Sequence, residues 1–380
     1  MDRLWWQLPG SRQFVSQIVQ DLGDGKNVIL CLPEHLPDGL ASAVRSELGN
    51  DWDWRTLSIR DEGQVEPVHL LFDLFVREIG TDKIRNARTL AQHEDFAGKI
   101  IWLDDLTPSV WSAWKKFLTD YEQPCRAIPQ LYRTLFCVRL VGEQALDPPR
   151  EDLCLSHQSW RGAVERLDML LFTANHFQGK RLPDLQKRVA ISVVASLALW
   201  DCVVSERLAY ENINNILNPV LILQEIAKER GWYTEGNKPS KWSWERGMTD
   251  LVEGENKIHS AILAFNESGL KEINRRIWSA EVGIMLPFVE EIRQEILESL
   301  KGVLRVPFKT DFGMILDRRD LEIGHIEYQI SKNGMVVNSN VKQLVQQLKE
   351  IRNSLSHLEP ISPKILLCRE INDWRCILRH

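Results

Sequence analysis

The chain has 380 residues, 44% of them hydrophobic and 26% charged, with a formal net charge of −6. That composition excludes a disordered or collagen-like chain, and the length allows two or three domains with cores of their own. The first residues lack the basic and apolar regions of a secretion signal. The longest apolar stretch, 189–200, falls short of the roughly 20 residues a membrane helix needs, so a soluble, cytoplasmic protein without membrane contact is expected.

Residues 27–32 form a short apolar run stopped by Pro33, as a buried strand would be, and 37–48 follow with helical spacing. Residues 54–59 alternate like a second strand. Leucines and phenylalanines three and four apart predict an amphipathic helix over 68–79. The strongest strand pattern is 99–105. A helix over 109–121 and a strand over 134–140 complete an alternation that implies parallel β-α-β units. After the break Asp147-Pro148-Pro149-Arg150 the pattern is helical throughout: 158–177, 185–208, 220–230, 252–266, 268–300 with a break near Pro287, and 340–358. A Gly/Pro/Asn/Ser patch at 236–240 marks a second boundary, and 307–334 is irregular apart from a short helix over 320–330. The expected fold class is α/β plus all-α, divided at 1–148, 149–245 and 246–380.

Seven scattered cysteines, none in Cys-x-x-Cys spacing, predict neither a disulfide framework nor a zinc site; they read as small buried hydrophobes. No metal and no cofactor are expected. Residues 1–150 carry 17 basic and 22 acidic side chains, whereas 246–380 carry 19 of each. No segment has the basic excess of a nucleic-acid footprint, so any such role must be local or shared with a partner.

Two motifs bear on chemistry. Ile100-Ile101-Trp102-Leu103-Asp104-Asp105 is similar to a Walker B strand, whose acids hold Mg²⁺ and orient water in P-loop NTPases. The matching phosphate loop should follow the first strand, with backbone amides, a lysine and a Ser/Thr. Instead, residues 32–40 contain Pro33 and Pro37, which lack an amide N–H, and no lysine. This part therefore resembles a P-loop domain of the AAA/STAND kind that has lost its nucleotide site. The plainer alternative is an acidic strand end with no catalytic task.

The second motif lies at 344–360. Leu344, Leu348, Ile351 and Leu355 recur at spacings of four, three and four, leaving Arg352, Asn353, Ser356 and His357 off the apolar face. Arg-Asn-x-x-x-His late in a C-terminal helix resembles the HEPN superfamily, and the upstream stretch 278–293 resembles a long early helix of such domains. The likeness covers about residues 250–370. It implies metal-independent RNA cleavage at a site built across a homodimer. His357 is then the general acid or base, Arg352 stabilises phosphate charge and Asn353 orients the histidine or binds the backbone, with Glu291 as a supporting candidate. A second Arg/His spacing, Arg318 and Arg319 to His325, sits in a glycine-interrupted stretch and ranks lower. The plainer alternative makes Arg352 and His357 ordinary residues of a last helical turn, where basic groups favour the helix dipole.

Most of the 14 tryptophans read as core. Trp232, Trp242 and Trp244 flank the 236–240 patch and are candidates for a domain or protein-partner interface. The expected function is a HEPN-type endoribonuclease of prokaryotic antiphage defence or of a toxin–antitoxin-like module. The alternatives are a non-catalytic subunit of a larger complex and an atypical NTPase.

Overall fold

The computed structural model describes residues 2–49, 52–59, 66–76, 84–233, 242–311, 313–332 and 337–379. They form two compact units. The first comprises Met1–Asp168 and Pro239–His259, the second Met169–Lys238 and Ser260–His380. The expected boundary after 148 thus falls inside the first unit, and the one after 245 falls within the segment 239–259 that belongs to it. The 236–240 patch and residues 77–79 of the expected helix 68–79 lie outside the described residues.

The first unit runs α1 (Asp2–Trp5), α2 (Pro9–Gly23), β1 (Asn27–Leu32), α3 (Leu40–Leu48), β2 (Asp53–Ser58), α4 (Pro67–Phe75), α5 (Ala87–Gln92), β3 (Lys99–Asp104), α6 (Pro108–Arg126), β4 (Leu135–Val141) and β5 (Leu155–Ser159). The strands form one parallel sheet in the order β2-β3-β4-β1-β5. Buried strands of a parallel sheet read as continuous apolar runs, and β1 is buried along its whole length. Ile29, Ile101 and Phe136 join one core cluster with Phe72 of α4, Leu90 of α5 and Trp114 of α6. Helix α2, preceding the first strand where patterning assigns nothing, packs on α3, β1 and β5.

Two helical expectations are overturned here. Residues 155–159 are a strand, and the helix expected over 158–177 begins only at α7 (Arg166–His176). β5 lies at the sheet edge and is mostly half-buried, so it carries Ser, His and Gln where an interior strand carries aliphatics. The helix expected over 252–266 is instead the hairpin β6 (Thr249–Val252) and β7 (Glu255–Ile258), followed by the short α12 (Ser260–Leu263). Its two turn residues, Glu253 and Gly254, have φ of 52° and 78°, as a type I′ turn demands.

The second unit is helical: α8 (Asp184–Ala198), α9 (Cys202–Tyr210), α10 (Ile213–Leu217), α11 (Val220–Glu229), α13 (Glu267–Ser299), α14 (Ile323–Lys332), α15 (Ser339–Ser356), α16 (Pro363–Leu367), α17 (Arg369–Asn372) and α18 (Trp374–Arg379). A small hairpin, β8 (Phe308–Thr310) and β9 (Gly313–Ile315), precedes α14. The helix expected over 185–208 is broken. Leu199 turns to φ 60°, and Asp201 caps α9 by accepting the Val203 N–H at 2.9 Å while it ion-pairs with Arg230. Conversely, α13 runs unbroken through Pro287 for 33 residues. The carbonyl crowded by that ring belongs to Gly283, the residue type best able to tilt it away. Helix α13 packs against α8, α15 and α18. Among the described residues, no helix is long and apolar enough to cross a membrane.

Candidate functional site

In an open parallel sheet, ligands bind beyond the carboxyl ends of the strands, where neighbouring connections diverge. The chain leaves β1 toward β2 and leaves β4 in the opposite direction toward β5, so the divergence lies between β1 and β4. An open cleft of about 570 Å³ sits there, lined by Glu34, Asp104, Asp105, Arg139, Gly142 and Glu143 among others. Asp104 is engaged: its Oδ1 accepts from Arg139 Nη1 at 3.0 Å and from the Asp105 N–H at 2.9 Å. Asp105, in the left-handed region at φ 57°, accepts from Ser58 Oγ at 2.7 Å. After β1, the Glu34 N–H donates to the Glu245 carbonyl at 2.8 Å, and the Glu34 carboxylate abuts Gly142, where an added Cβ would lie 3.2 Å from Oε1. Four carboxylates therefore line the cleft with one guanidinium, which is paired to Asp104. Such a cleft repels phosphate. Among the described residues, no group of three His, Cys, Asp or Glu side chains is placed to hold a metal ion.

The second motif ends α15. Asn338 caps its start by accepting the Asn340 N–H at 2.9 Å, and its buried face is Val341, Leu344, Val345, Leu348, Ile351 and Leu355. At the other end the Glu359 N–H reaches the Ser354 carbonyl at 2.9 Å and the Leu358 N–H reaches Leu355 at 3.4 Å. That is a Schellman ending with His357 as the cap residue and Leu358, at φ 61°, in the left-handed position that glycine usually fills.

Helix α13 grips this ending at two points one turn apart. The Trp278 Nε1–H donates to the Leu355 carbonyl at 2.8 Å, and Glu281 Oε2 accepts the Ile361 N–H at 2.8 Å. Glu281 is fully buried and its other oxygen has no partner. Burial pushes its carboxyl up to about 8, against the opposing pull of the Ile361 N–H. His357 thus sits in a segment fastened two residues before it and four residues after it.

Asn353 and His357 are exposed and Arg352 is half-buried. At 100° per residue, Asn353 and His357 lie about 40° apart around the axis, but Arg352 and His357 about 140° apart. Arg352 faces an open groove of about 360 Å³ lined by Leu286, Val289, Glu290, Arg293, Arg319, Asp320, Glu322 and Ile323, and it ion-pairs there with Glu322. Glu291 is bound elsewhere: it pairs with Arg375 at 3.2 Å, and its place on α13 is about 20 Å of helical rise beyond Trp278.

Sequence reasoning assigned no role to Glu322, Trp278 or Glu281. Glu281 had a signal: it interrupts the apolar stripe four residues after Ile277 and four before Met285. The lower-ranked Arg/His spacing contributes too. Arg319 lines the groove, and His325 Nδ1 accepts the Glu322 N–H at 3.2 Å. Of the flanking tryptophans, Trp232 is buried under the Arg230 guanidinium 4.9 Å from its ring, Trp244 packs on the core of the first unit and Trp242 is 41% exposed.

No family model, curated protein or solved structure matches the chain.

Proposed function

We propose that the second unit is a HEPN-type, metal-independent endoribonuclease, and that the first is a P-loop-like domain without a working nucleotide site. The carrying observation is the end of α15, where His357 is exposed on a doubly fastened cap while Arg352 opens onto a groove. His357 takes the proton of a ribose 2′-hydroxyl; the 2′ oxygen attacks the adjacent phosphorus, and the 5′ oxygen leaves with a proton supplied by an imidazolium. The products are a 2′,3′-cyclic phosphate and a 5′-hydroxyl. Arg352 neutralises the phosphorane oxygens through its planar fork, and Asn353, on the His357 side, orients the imidazole. The wide angle between Arg352 and His357 favours a homodimer in which two copies complete each other's site.

For the first unit, the reading is supported by β4 lying between β1, where a phosphate loop would follow, and β3, which ends in the acids. Its carboxylate-lined cleft disfavours the NTPase alternative. By analogy with superfamily members of this build, the protein acts in the cytoplasm in antiphage defence or a toxin–antitoxin-like module, the first unit restraining the nuclease or docking a protein partner. A second reading, a non-catalytic subunit of a larger complex, is favoured by one observation: Glu322 occupies Arg352. RNA cleavage in EDTA by the wild type and by His357→Ala decides between them. Activity lost in the variant supports the nuclease; equal activity in both, or none in either, removes it.

A further inference from the structure

We propose that the groove between α13, the 317–322 turn and α15 is the path of the RNA backbone, and that Glu322 holds it closed by occupying the Arg352 guanidinium. The inference rests on the nuclease reading and adds to it where the substrate runs and what competes with it.

The three groove arginines play different parts. Arg293 is a strut. Its Nε–H donates to Glu290 at 2.8 Å, and its Nη1–H to the carbonyls of Arg319 and Leu321 at 2.9 and 2.8 Å, tying the backbone of the turn to α13. Arg319 is 82% exposed and ion-pairs with the exposed Asp317 at 3.2 Å. Arg352 and Glu322 are 42% and 55% exposed, so their pair faces solvent at the groove. Exposed pairs of this kind are weak and exchange readily.

Charge makes the groove a closed one. Three guanidiniums face the carboxylates of Glu290, Asp320 and Glu322, leaving no net positive charge to attract a phosphate. A phosphate arriving at Arg352 meets the Glu322 carboxylate, and both cannot use the same fork of donors. A single phosphate has little advantage over that carboxylate. A strand does, because neighbouring phosphates engage Arg319 at the same time and release counterions. Opening needs only rotation of the Glu322 side chain, since Lys349 and Glu327, 3.1 Å apart, join α15 to α14 independently.

The test is binding of fluorescein-labelled oligouridylate in EDTA, in a His357→Ala background that removes cleavage, together with cleavage by chains that keep His357. Glu322→Gln is expected to tighten binding about tenfold and to steepen its salt dependence by about 0.7 for each additional phosphate neutralised. Asp320→Asn removes the same charge from the same groove without freeing Arg352, and less than about a twofold improvement is expected. The improvement should vanish in Glu322→Gln/Arg352→Gln. Equal improvements in Glu322→Gln and Asp320→Asn, or none in the former, overturn the closing role of Glu322. If the wild type cleaves RNA yet Glu322→Gln binds no better, the nuclease stands and this inference falls. If no variant binds or cleaves, both fall.

Discussion

Among the described residues two open clefts lie beside a motif, and their charged linings differ. In the first unit, Arg139 is paired to Asp104 and outnumbered by Glu34, Asp105 and Glu143, while the loop after β1 contains two residues without an N–H. In the second, arginines and carboxylates balance, and a single exposed ion pair stands between Arg352 and a ligand. The first cleft lacks the backbone chemistry of a phosphate site; the second has guanidinium donors in place, with Arg352 paired to Glu322. An acidic strand end and an Arg/His helix end look equally suggestive in one dimension. Their surroundings separate them.

The largest expected effect breaks the comparison outright. His357→Ala should lower RNA cleavage about 10²- to 10⁴-fold, the usual worth of a positioned acid or base. Asp104→Asn, in the other cleft, should leave cleavage unchanged. A large loss from Asp104→Asn would mean that the two units share one chemistry.

Next in size is the pH dependence of the fold. The Glu281 carboxyl is raised from its ordinary 4.5 to about 8, so between those values it is protonated in the fold and ionised in the unfolded chain. Stability should therefore fall as pH rises from about 4.5 to about 8 and level off beyond. Glu281→Gln keeps an acceptor for the Ile361 N–H and carries no titrating group. At pH 9 it should be more stable than the wild type by about 3–5 kcal/mol, the worth of such a shift. Urea unfolding at acid and alkaline pH measures this; curves that run parallel for the two proteins would sink the assignment.

A smaller effect probes the cap. A leucine in the left-handed region costs about 1–2 kcal/mol, and glycine returns about 0.5–1 kcal/mol of that through its looser unfolded chain. Leu358 is 63% exposed, so Leu358→Gly should add about 0.5 kcal/mol of stability, read from the denaturation midpoint. A loss above about 1 kcal/mol would show that the leucine side chain, not the backbone turn, holds His357 in place.

How much of this was legible in the sequence depends on what each segment buries. β1, β3 and β4 declare themselves because both their faces are covered, and the apolar face of α15 is spaced as a helix requires. β5 does not, because an edge strand built from Leu-Ser-His-Gln-Ser has no apolar alternation to read. The β6–β7 hairpin left a signal in Glu253-Gly254, an acid–glycine pair between short alternating runs, but its charged residues also suit a helix. The candidate site was half legible. Arg352, Asn353 and His357 are local, whereas Glu322 lies 30 residues away and reaches Arg352 only because α14 packs on α15. No one-dimensional pattern encodes that pairing.

The smallest expected effect is an absence, and it tests the comparison from the other side. Titration of the wild type with Mg²⁺ and ATP should give no binding tighter than about 1 mM, because four carboxylates repel the triphosphate. Glu34→Ala should not change this, although Glu34 is the carboxylate at the end of β1. Pro33 and Pro37 still offer no N–H, and α3 opens at Gly39 with no side-chain cap and no lysine nearby in the loop. The same kind of substitution, Glu322→Gln, is expected to open the groove of the second unit about tenfold. If removing Glu34 restores ATP binding, the loop after β1 is a phosphate site masked by one side chain, and the two clefts differ in degree only.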